Sequence, residues 1–367
     1  MQQYYRRAGK LLCIIYALRG TDFHYDNLIV SANQPVVVDL EMLLHPPSIK
    51  MQSFAALPQS QQLAILKIDD SVLKTMFLPR TFLLSGQLVE VSALGDTTQQ
   101  EFKAQKFNHV NTDSMAWVEE ASTLPTLTNS PFALGVAGSL ADYADEVVDG
   151  FVQMYHLLMH YKTDLLAADS PLAVFANQPG GRYIHRNTST YYSILYRAFH
   201  PTFMGNGADF SIELEVCSRA GVTMGWTADA GKLMAAERRS LECMDLPHFM
   251  LNSSGCDLML EDGGRDRFIF DESGYASVIE RIQNLNEVDL TLQTELIRSS
   301  TNTKAIQDDY WYESTVNQSD ASLTASATDK LTLMTPVNID IVSSSTPQFL
   351  QQATEIAQEI ERRAIGG

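Results

Sequence analysis

Three polar residues near the start of the sequence have the types and order that phosphoryl transfer from a nucleotide requires. They are Asp22, Asn27 and Asp39. Such a reaction needs an acid beside the acceptor hydroxyl, and it needs an amide and a second acid that hold divalent metal on the phosphates. Carboxylate and amide oxygens are hard ligands that favour Mg²⁺ over zinc. The sequence therefore predicts a site for ATP and Mg²⁺ in this stretch.

The residues between these polar positions predict a β-hairpin. Residues 28–30 are typical of a short strand, residues 33–35 of a turn, and residues 36–40 of a second strand. A hairpin brings Asn27 and Asp39 to the same end of the ribbon. The alternative is a surface loop with scattered acids, followed by a buried strand that ends in an Asp.

Each polar residue in this stretch has a chemical role that its type suggests. Asp22 is predicted to orient and deprotonate the acceptor hydroxyl, and Asn27 and Asp39 to bind Mg²⁺ on the nucleotide phosphates. Glu41 lies two positions beyond Asp39, on the same face of the predicted strand, and is a further candidate ligand. His24 is a candidate contact for the transferred phosphate, and a structural role in the loop is the alternative.

The flanking residues narrow the choice among protein kinases, lipid kinases and aminoglycoside-type phosphotransferases, which share this pattern. The runs Y-Y-R-R-A-G-K-L-L, T-D-F-H-Y-D-N-L-I and P-V-V-V-D-L-E-M-L-L resemble the dehydratase domain of class II (LanM-type) lanthipeptide synthetases. Further similar runs continue in order along the chain, at residues 71–79, 91–95, 111–115, 149–155, 182–191 and 242–249. The terminal E-I-E-R-R-A-I-G-G looks like the junction that leads into the cyclase domain of that family.

The resemblance implies a function and a fold. These enzymes phosphorylate Ser and Thr of a precursor peptide that carries a leader, eliminate the phosphate, and close thioether rings in a C-terminal cyclase domain that holds zinc. The implied fold is α+β and mostly helical, with a kinase-like (lipid-kinase-like) C-lobe, a catalytic β-hairpin and additional helices. The expected divisions are 1–50 for catalysis and metal binding, 51–345 for the rest of the dehydratase, and 346–367 for a helix at the cyclase junction.

One feature departs from a complete kinase-like domain. Such a domain needs an N-terminal lobe with a β-sheet and a phosphate-binding Lys, but 21 residues precede Asp22. Lys10 lies on a predicted helix and is a poor substitute. We therefore expect that the N-lobe is missing and that the isolated fragment is inactive.

A second group of polar residues, Arg182, Arg186, Thr188 and Tyr191, has types that suit phosphate elimination. An Arg binds two phosphate oxygens at once, and Thr188 offers a hydroxyl donor. In lanthipeptide synthetases of this class the elimination residues are an Arg and a Thr six positions later. The resemblance therefore implies that Arg182 and Thr188 carry out elimination here, with Arg186 as the competing choice for the Arg. The alternative is a core helix capped by Thr188 or Ser189, with the arginines paired to surface acids.

Composition limits the partners. The 367-residue chain has a net charge of −18 and a pI near 4.8, which argues against nucleic-acid binding. No run of 18 or more apolar residues occurs, so the sequence predicts no membrane span. Its four cysteines form no C-x-x-C pair, which favours reduced thiols and a cytoplasmic location.

Helical periodicity predicts three amphipathic helices. One has a buried face of Tyr4, Tyr5, Ala8, Leu11, Leu12, Ile15 and Leu18, and another, over residues 140–165, has Tyr143, Val147, Phe151, Tyr155 and Leu158. The third starts at Thr346 and Pro347. Residues 300–345 are rich in Ser, Thr, Asn and Asp and predict a flexible segment or a loop over the site.

Two other classes of function remain open at this stage. The first is a small-molecule phosphotransferase of the aminoglycoside type, although such proteins usually end soon after the second acid. The second is a catalytically dead scaffold that keeps the motifs without a nucleotide lobe.

Overall fold

A computed structural model describes eight stretches of the chain: 1–47, 58–84, 87–95, 101–123, 139–223, 231–260, 264–266 and 270–301. About half of the described residues are helical, and the strands form small sheets, so the fold is α+β. The described residues are less helical than expected, because three β-hairpins and one four-stranded sheet contain part of them. None of the described helices has the length and apolarity needed to cross a bilayer.

The described helices are numbered in chain order. They are α1 (Gln2–Ala17), α2 (Gln59–Asp69), α3 (Ala144–His160), α4 (Lys162–Leu165), α5 (Thr188–Ala198), α6 (Gly207–Leu214), α7 (Val216–Thr223), α8 (Gly231–Glu242), α9 (Gly274–Asn284) and α10 (residues 287–301). Short 3₁₀ turns occur at Tyr25–Asn27, Val72–Thr75, Leu140–Tyr143 and Pro171–Phe175.

The described strands pair as antiparallel ribbons. They are β1 (Leu28–Ser31), β2 (Gln34–Val37), β3 (Thr81–Leu84), β4 (Gln87–Glu90), β5 (Glu101–Asn108), β6 (Ala116–Thr123), β7 (Pro179–Tyr183), β8 (Phe249–Asn252), β9 (Leu258–Met259) and β10 (Arg265–Asp266). The first six form three hairpins, and the last four form one sheet in the order β10-β9-β8-β7. Strand β7 therefore lies at an edge of that sheet.

Helices α1 and α3 cross very closely. A Cβ atom added to Gly9 would lie 1.9 Å from the Val147 carbonyl oxygen, and one added to Gly150 would lie 1.9 Å from that of Arg6. Both glycines are therefore needed so that the two backbones can touch. The close crossing fixes the direction of α1, which leads directly into the polar loop that starts at Gly20.

A partly buried carboxylate joins these two helices to α10. The hydroxyl of Tyr16 on α1 donates to Asp289 at 2.9 Å, and the hydroxyl of Tyr155 on α3 donates to the same carboxylate at 2.5 Å. The buried faces of both helices are those predicted from periodicity, with Leu11, Leu18, Tyr143 and Leu158 partly buried and the other named residues buried. The predicted buried faces of α1 and α3 are therefore confirmed.

Residues in the second half of the described chain form two smaller apolar clusters. One contains Tyr183 and Phe249 of the sheet packed on Leu233 and Ala236 of α8. The other joins α5, α6, α7 and α8 through Tyr191, Leu195, Ala198, Leu214, Cys217 and Leu241. The alternative of a core helix after residue 188 agrees with this packing, since Tyr191 and Leu195 of α5 are buried and Ile194 is partly buried.

The hairpin β1–β2 was predicted with nearly correct bounds. Strand β1 covers the predicted residues, but the turn lies at Ala32 and Asn33, and β2 ends at Val37. The prediction of a strand over residues 36–40 was therefore wrong at its C-terminal end. The helix predicted from Thr346 and all but the first two residues of the segment 300–345 lie outside the described residues.

Candidate active site

The loop from Gly20 to Asn27 is held in place by main-chain hydrogen bonds to two distant segments. The Phe23 amide donates to the Thr75 carbonyl at 3.0 Å, and the Tyr25 amide donates to the Val91 carbonyl at 3.1 Å. The Phe23 side chain is buried in the main core. The side chains at positions 22 and 24, which flank Phe23, are therefore presented from a fixed backbone.

Asp22 has a left-handed backbone conformation with φ of 63°. Asp tolerates this region better than most residues, and such conformations are concentrated at functional positions. Its carbonyl oxygen accepts the Asn27 side-chain amide at 3.0 Å and the His24 main-chain amide at 3.0 Å. Because a carbonyl oxygen can only accept, the NH₂ group of Asn27 faces it, and the Oδ1 atom of Asn27 keeps its lone pairs for another partner.

The hairpin brings Asp39 back towards Asn27. Leu28 pairs with Val37, and the Val38 amide donates to the Asn27 carbonyl at 3.1 Å. The Oδ1 atom of Asp39 then accepts the Glu41 amide at 3.1 Å, which bends the chain as Asp side chains commonly do in turns. Asp39 and Glu41 therefore lie in a bend and not on a strand, so the same-face argument for Glu41 was wrong.

Arg182 reaches this bend from strand β7. Its amide donates to the Glu41 carbonyl at 3.0 Å, and its Nη1 atom donates to the Glu41 Oε1 at 2.7 Å, although 141 residues separate the two in sequence. On the other side of the bend, the Thr21 amide donates to the Met42 carbonyl at 3.2 Å. The bend thus lies between the Asp22 loop and β7 and is bonded to both.

Burial and the neighbouring charges shift the pKa of Asp22. Burial raises the pKa of the Asp22 carboxyl, and the neighbouring carboxylates of Asp39 and Glu41 raise it further, whereas His24 and Arg182 lower it. The net shift is upwards. A carboxylate with a raised pKa is a stronger base, which suits removal of a proton from a hydroxyl.

His24 is fixed by the turn that it caps. Its Nδ1 atom accepts the Asp26 main-chain amide at 3.3 Å. The same nitrogen lies 4.0 Å from the Asp26 carboxylate, an ion pair that would require a proton on Nδ1. The shorter hydrogen bond decides the tautomer, so the proton of the neutral ring lies on Nε2, which is a donor. His24 is therefore arranged to donate to an anion.

Arg186, the competing arginine, lies in a different environment. Its Nε atom donates to Oε1 of the fully buried Glu237 at 2.7 Å, and its Nη2 atom donates to the Cys217 carbonyl at 3.1 Å. The hydroxyl of Tyr191 donates to the same Glu237 oxygen at 2.6 Å. Arg186 thus ties the segment between β7 and α5 to helices α7 and α8, whereas Arg182 bonds to the bend.

Thr188 is the first residue of α5 and is exposed. The N-cap of this helix is Asn187, without a side-chain capping bond, so the alternative that Thr188 or Ser189 caps the helix was wrong. No hydrogen bond in the described residues joins Thr188 to the Asp22 loop or to Arg182. Its hydroxyl and the first amides of an uncapped helix are groups that bind phosphate oxygens.

The sequence has relatives that bear on this site. Residues 1–252 match a family described as a domain of unknown function, DUF4135. The chain belongs to this family. It is also 23% identical over 310 residues to the lacticin 481/lactococcin biosynthesis protein LcnDR2 of Lactococcus lactis subsp. lactis. The resemblance to class II lanthipeptide synthetases is thereby confirmed.

The match to this relative is unequal in extent. It covers 82% of the present chain and 31% of the relative, so the chain spans about a third of that protein's length. The DUF4135 match itself contains every residue of both polar groups, from Asp22 to Thr188.

Asp39 and Asn27 supply oxygens of the type that could hold a magnesium ion together with a nucleotide. Among the described residues, no group of three His, Cys, Asp or Glu side chains is placed to hold a metal ion. Mg²⁺ is commonly held by one or two carboxylates together with substrate phosphates and water, and not by a complete protein cage. Asp39 and the free Oδ1 atom of Asn27 meet that requirement.

The residues that support the Asp22 loop were not predicted from the sequence. Thr75 and Val91 accept its amides, and His24 forms an isolated antiparallel bridge with Ser92. These residues lie within the runs 71–79 and 91–95, which were noted only as similar to the family. That similarity was the available signal, because no local pattern in either run identifies a distant loop as its partner.

Proposed function

We propose that this chain is the part of a lanthionine synthetase that takes part in dehydrating Ser and Thr residues of a lanthipeptide precursor, by ATP-dependent phosphorylation followed by phosphate elimination. The observation that carries this proposal is the contact between Glu41 and Arg182, which joins the predicted phosphorylation residues to a predicted elimination residue at 2.7 Å. One cleft with both groups suits a phosphopeptide that is processed where it forms.

In the first step Asp22 takes the proton of the peptide hydroxyl. The hydroxyl oxygen bonds to the γ-phosphorus of ATP, and ADP leaves. Asn27 and Asp39 would hold Mg²⁺, which would neutralise the phosphate charge when bound. The Nε2 proton of His24 donates to the transferred phosphoryl group. These roles belong to a kinase-like C-lobe, and the precursor leader and a cyclase domain are the expected partners in the cytoplasm.

In the second step the α-proton of the phosphorylated residue passes to a base in the cleft. The Cβ–O bond breaks, its electron pair leaves with the phosphate, and the Cα=Cβ double bond forms. Arg182 stabilises the leaving phosphate through its guanidinium, and Thr188 donates from its hydroxyl. Arg186 is the weaker candidate for this role, because its guanidinium already bonds to the buried Glu237.

The test uses the full-length protein that contains this sequence, incubated with its precursor peptide, ATP and Mg²⁺. Asp22→Ala and Asp39→Ala should leave unmodified peptide, because Asp22 deprotonates the peptide hydroxyl and Asp39 acts on the nucleotide phosphates through the metal. Arg182→Ala and Thr188→Ala should leave phosphorylation largely intact, so that phosphopeptide accumulates. Mass spectrometry distinguishes these products by one phosphoryl group per site.

Asp26→Ala is the matched control, since Asp26 is an exposed acid in the same loop and should give normal dehydration. If Arg182→Ala yields only unmodified peptide, the division between the two steps is wrong. Phosphorylation of an aminoglycoside in place of the peptide would support a small-molecule phosphotransferase. Absence of nucleotide binding by the full-length protein would support a scaffold.

A further inference from the structure

We propose that Glu41 positions Arg182 for phosphate elimination and is not a magnesium ligand. This inference rests on the proposed function and adds a role that the sequence pattern did not suggest. In the sequence, the D-x-E spacing made Glu41 a candidate metal ligand beside Asp39. The structure instead gives Glu41 two bonds to Arg182, one from its main chain and one from its side chain.

The first bond acts on the backbone of β7. This strand pairs with β8 on one side, where Arg182 lies opposite Met250, and its other side is the edge of the sheet. The Arg182 amide on that edge donates to the Glu41 carbonyl at 3.0 Å. The bend that carries Asp39 thus takes the place of the next strand at this position, and it sets the distance between β7 and the metal-binding residues.

The second bond acts on the guanidinium. Its Nη1 atom lies 2.7 Å from the Glu41 Oε1, and the side chains are 27% and 34% exposed, respectively. Both groups are therefore partly shielded from water, and their attraction is screened less than that of a fully exposed pair. An Arg has five N–H donors in a planar fork. One bond to Glu41 orients the fork and leaves other donors for phosphate oxygens.

The same bond makes Glu41 a poor metal ligand. A carboxylate oxygen in close contact with a guanidinium would have to exchange that partner for Mg²⁺, and the two cations would then repel each other. The Oδ1 atom of Asp39 receives a main-chain amide, which is neutral and does not oppose a cation at the other oxygen. The two acids of the D-x-E pair are thus distinguished by their partners: Asp39 suits the metal, and Glu41 suits Arg182.

The test measures the two steps separately in the full-length protein. Phosphorylation is followed as a function of Mg²⁺ concentration, and elimination is followed from a synthetic precursor peptide that already carries phosphoserine. We expect Glu41→Ala to slow elimination about tenfold to a hundredfold, as displacement of a positioned group does. The Mg²⁺ concentration for half-maximal phosphorylation should change by less than about threefold, because Asn27 and Asp39 remain.

Conservative variants separate positioning from a general structural role. Glu41→Gln keeps an oxygen that accepts from Nη1, so it should restore most of the elimination rate that Glu41→Ala loses. In an Arg182→Ala background, Glu41→Ala should cause little further loss, because the residue that it positions is gone. A variant damaged only in folding would instead lower both steps together and would not be rescued by Gln.

Two outcomes would overturn the inference. One is a Glu41→Ala variant that needs much more Mg²⁺ for phosphorylation but processes the phosphopeptide normally, which would make Glu41 a metal ligand. The other is an equal loss in Glu41→Ala and Glu41→Gln for both steps. Failure of the proposed function looks different, since the unsubstituted protein would then not process phosphopeptide, or Arg182→Ala would process it normally.

Discussion

The Arg186 guanidinium lies 2.7 Å from a carboxylate oxygen of Glu237, whose side chain is fully buried. Tyr191 donates to the same oxygen, so the carboxylate has both a charged and a neutral donor. Arg182, four positions earlier, bonds to Glu41 instead. Two arginines that are equivalent candidates by type thus have different partners: Arg186 bonds to a buried acid of α8, and Arg182 bonds to Glu41 next to the Asp22 loop.

The buried pair predicts a large loss of stability on truncation. Glu237→Ala leaves Arg186 without its charge partner and Tyr191 without its acceptor, so the free energy of unfolding should fall by about 3–5 kcal/mol. Chemical denaturation followed by circular dichroism measures this loss in the free energy of unfolding. Glu215→Ala, which breaks the more exposed ion pair with Arg238, should cost only about 0–1 kcal/mol. Equal losses in the two variants would contradict this account.

The close crossing of α1 and α3 predicts sensitivity at Gly9. Gly9→Ala places a Cβ atom 1.9 Å from the Val147 carbonyl oxygen, so the helices must separate, at a cost of about 1–3 kcal/mol. Gly231→Ala is the control, because no atom lies within 4 Å of its added Cβ and Ala favours a helix more than Gly does. Thermal unfolding should show a lower midpoint for Gly9→Ala alone.

The charges around Asp22 predict a shift in the pH dependence of phosphorylation. The base form of Asp22 is needed, so the rate should fall as pH drops through its raised pKa. Arg182 lowers this pKa, and Arg182→Ala should therefore move the acidic limb to higher pH. Rates of phosphopeptide formation, measured where chemistry limits the reaction, give the profile. If the acidic limb of the pH–rate profile stays in place in Arg182→Ala, or if the exposed control Asp26→Asn shifts it equally, Asp22 is not the base.

Buried histidines predict that the fold loses stability in mild acid. Burial and Lys74 lower the pKa of His45 to about 4, and burial lowers the pKa of His185 to about 3. Both are neutral when folded and bind protons near pH 6.5 when unfolded. Their contribution to the free energy of unfolding is therefore fully present above about pH 6.5 and decreases steadily as the pH falls below that value towards the folded pKa of each histidine.

Denaturation at a series of pH values between those limits measures this slope. His45→Gln should remove about half of the part due to these two histidines, since His185 continues to titrate. A slope that is unchanged in His45→Gln would mean that His45 is protonated in the folded protein or that other groups dominate.

The sequence by itself determined the features that depend on neighbouring residues. The order of Asp22, Asn27 and Asp39 around a hairpin, and the buried faces of α1 and α3, follow from spacing and periodicity, because a strand or a helix repeats its own geometry. Similarity of short runs along the chain was enough to identify the family. The end of β2 was predicted too far along the chain. The bend depends on the hydrogen bond that the Glu41 amide donates to the Asp39 side chain, and this bond competes with strand geometry.

Only the tertiary structure decided which distant groups meet. Arg182 and Arg186 are both arginines near a strand end, and no local pattern says that one pairs with Glu41 and the other with Glu237. The closeness of α1 and α3 likewise depends on two glycines that face each other's backbones across the core. These choices depend on the packing of whole elements, because a contact between distant residues forms only where the surrounding layers bring both partners to the same place.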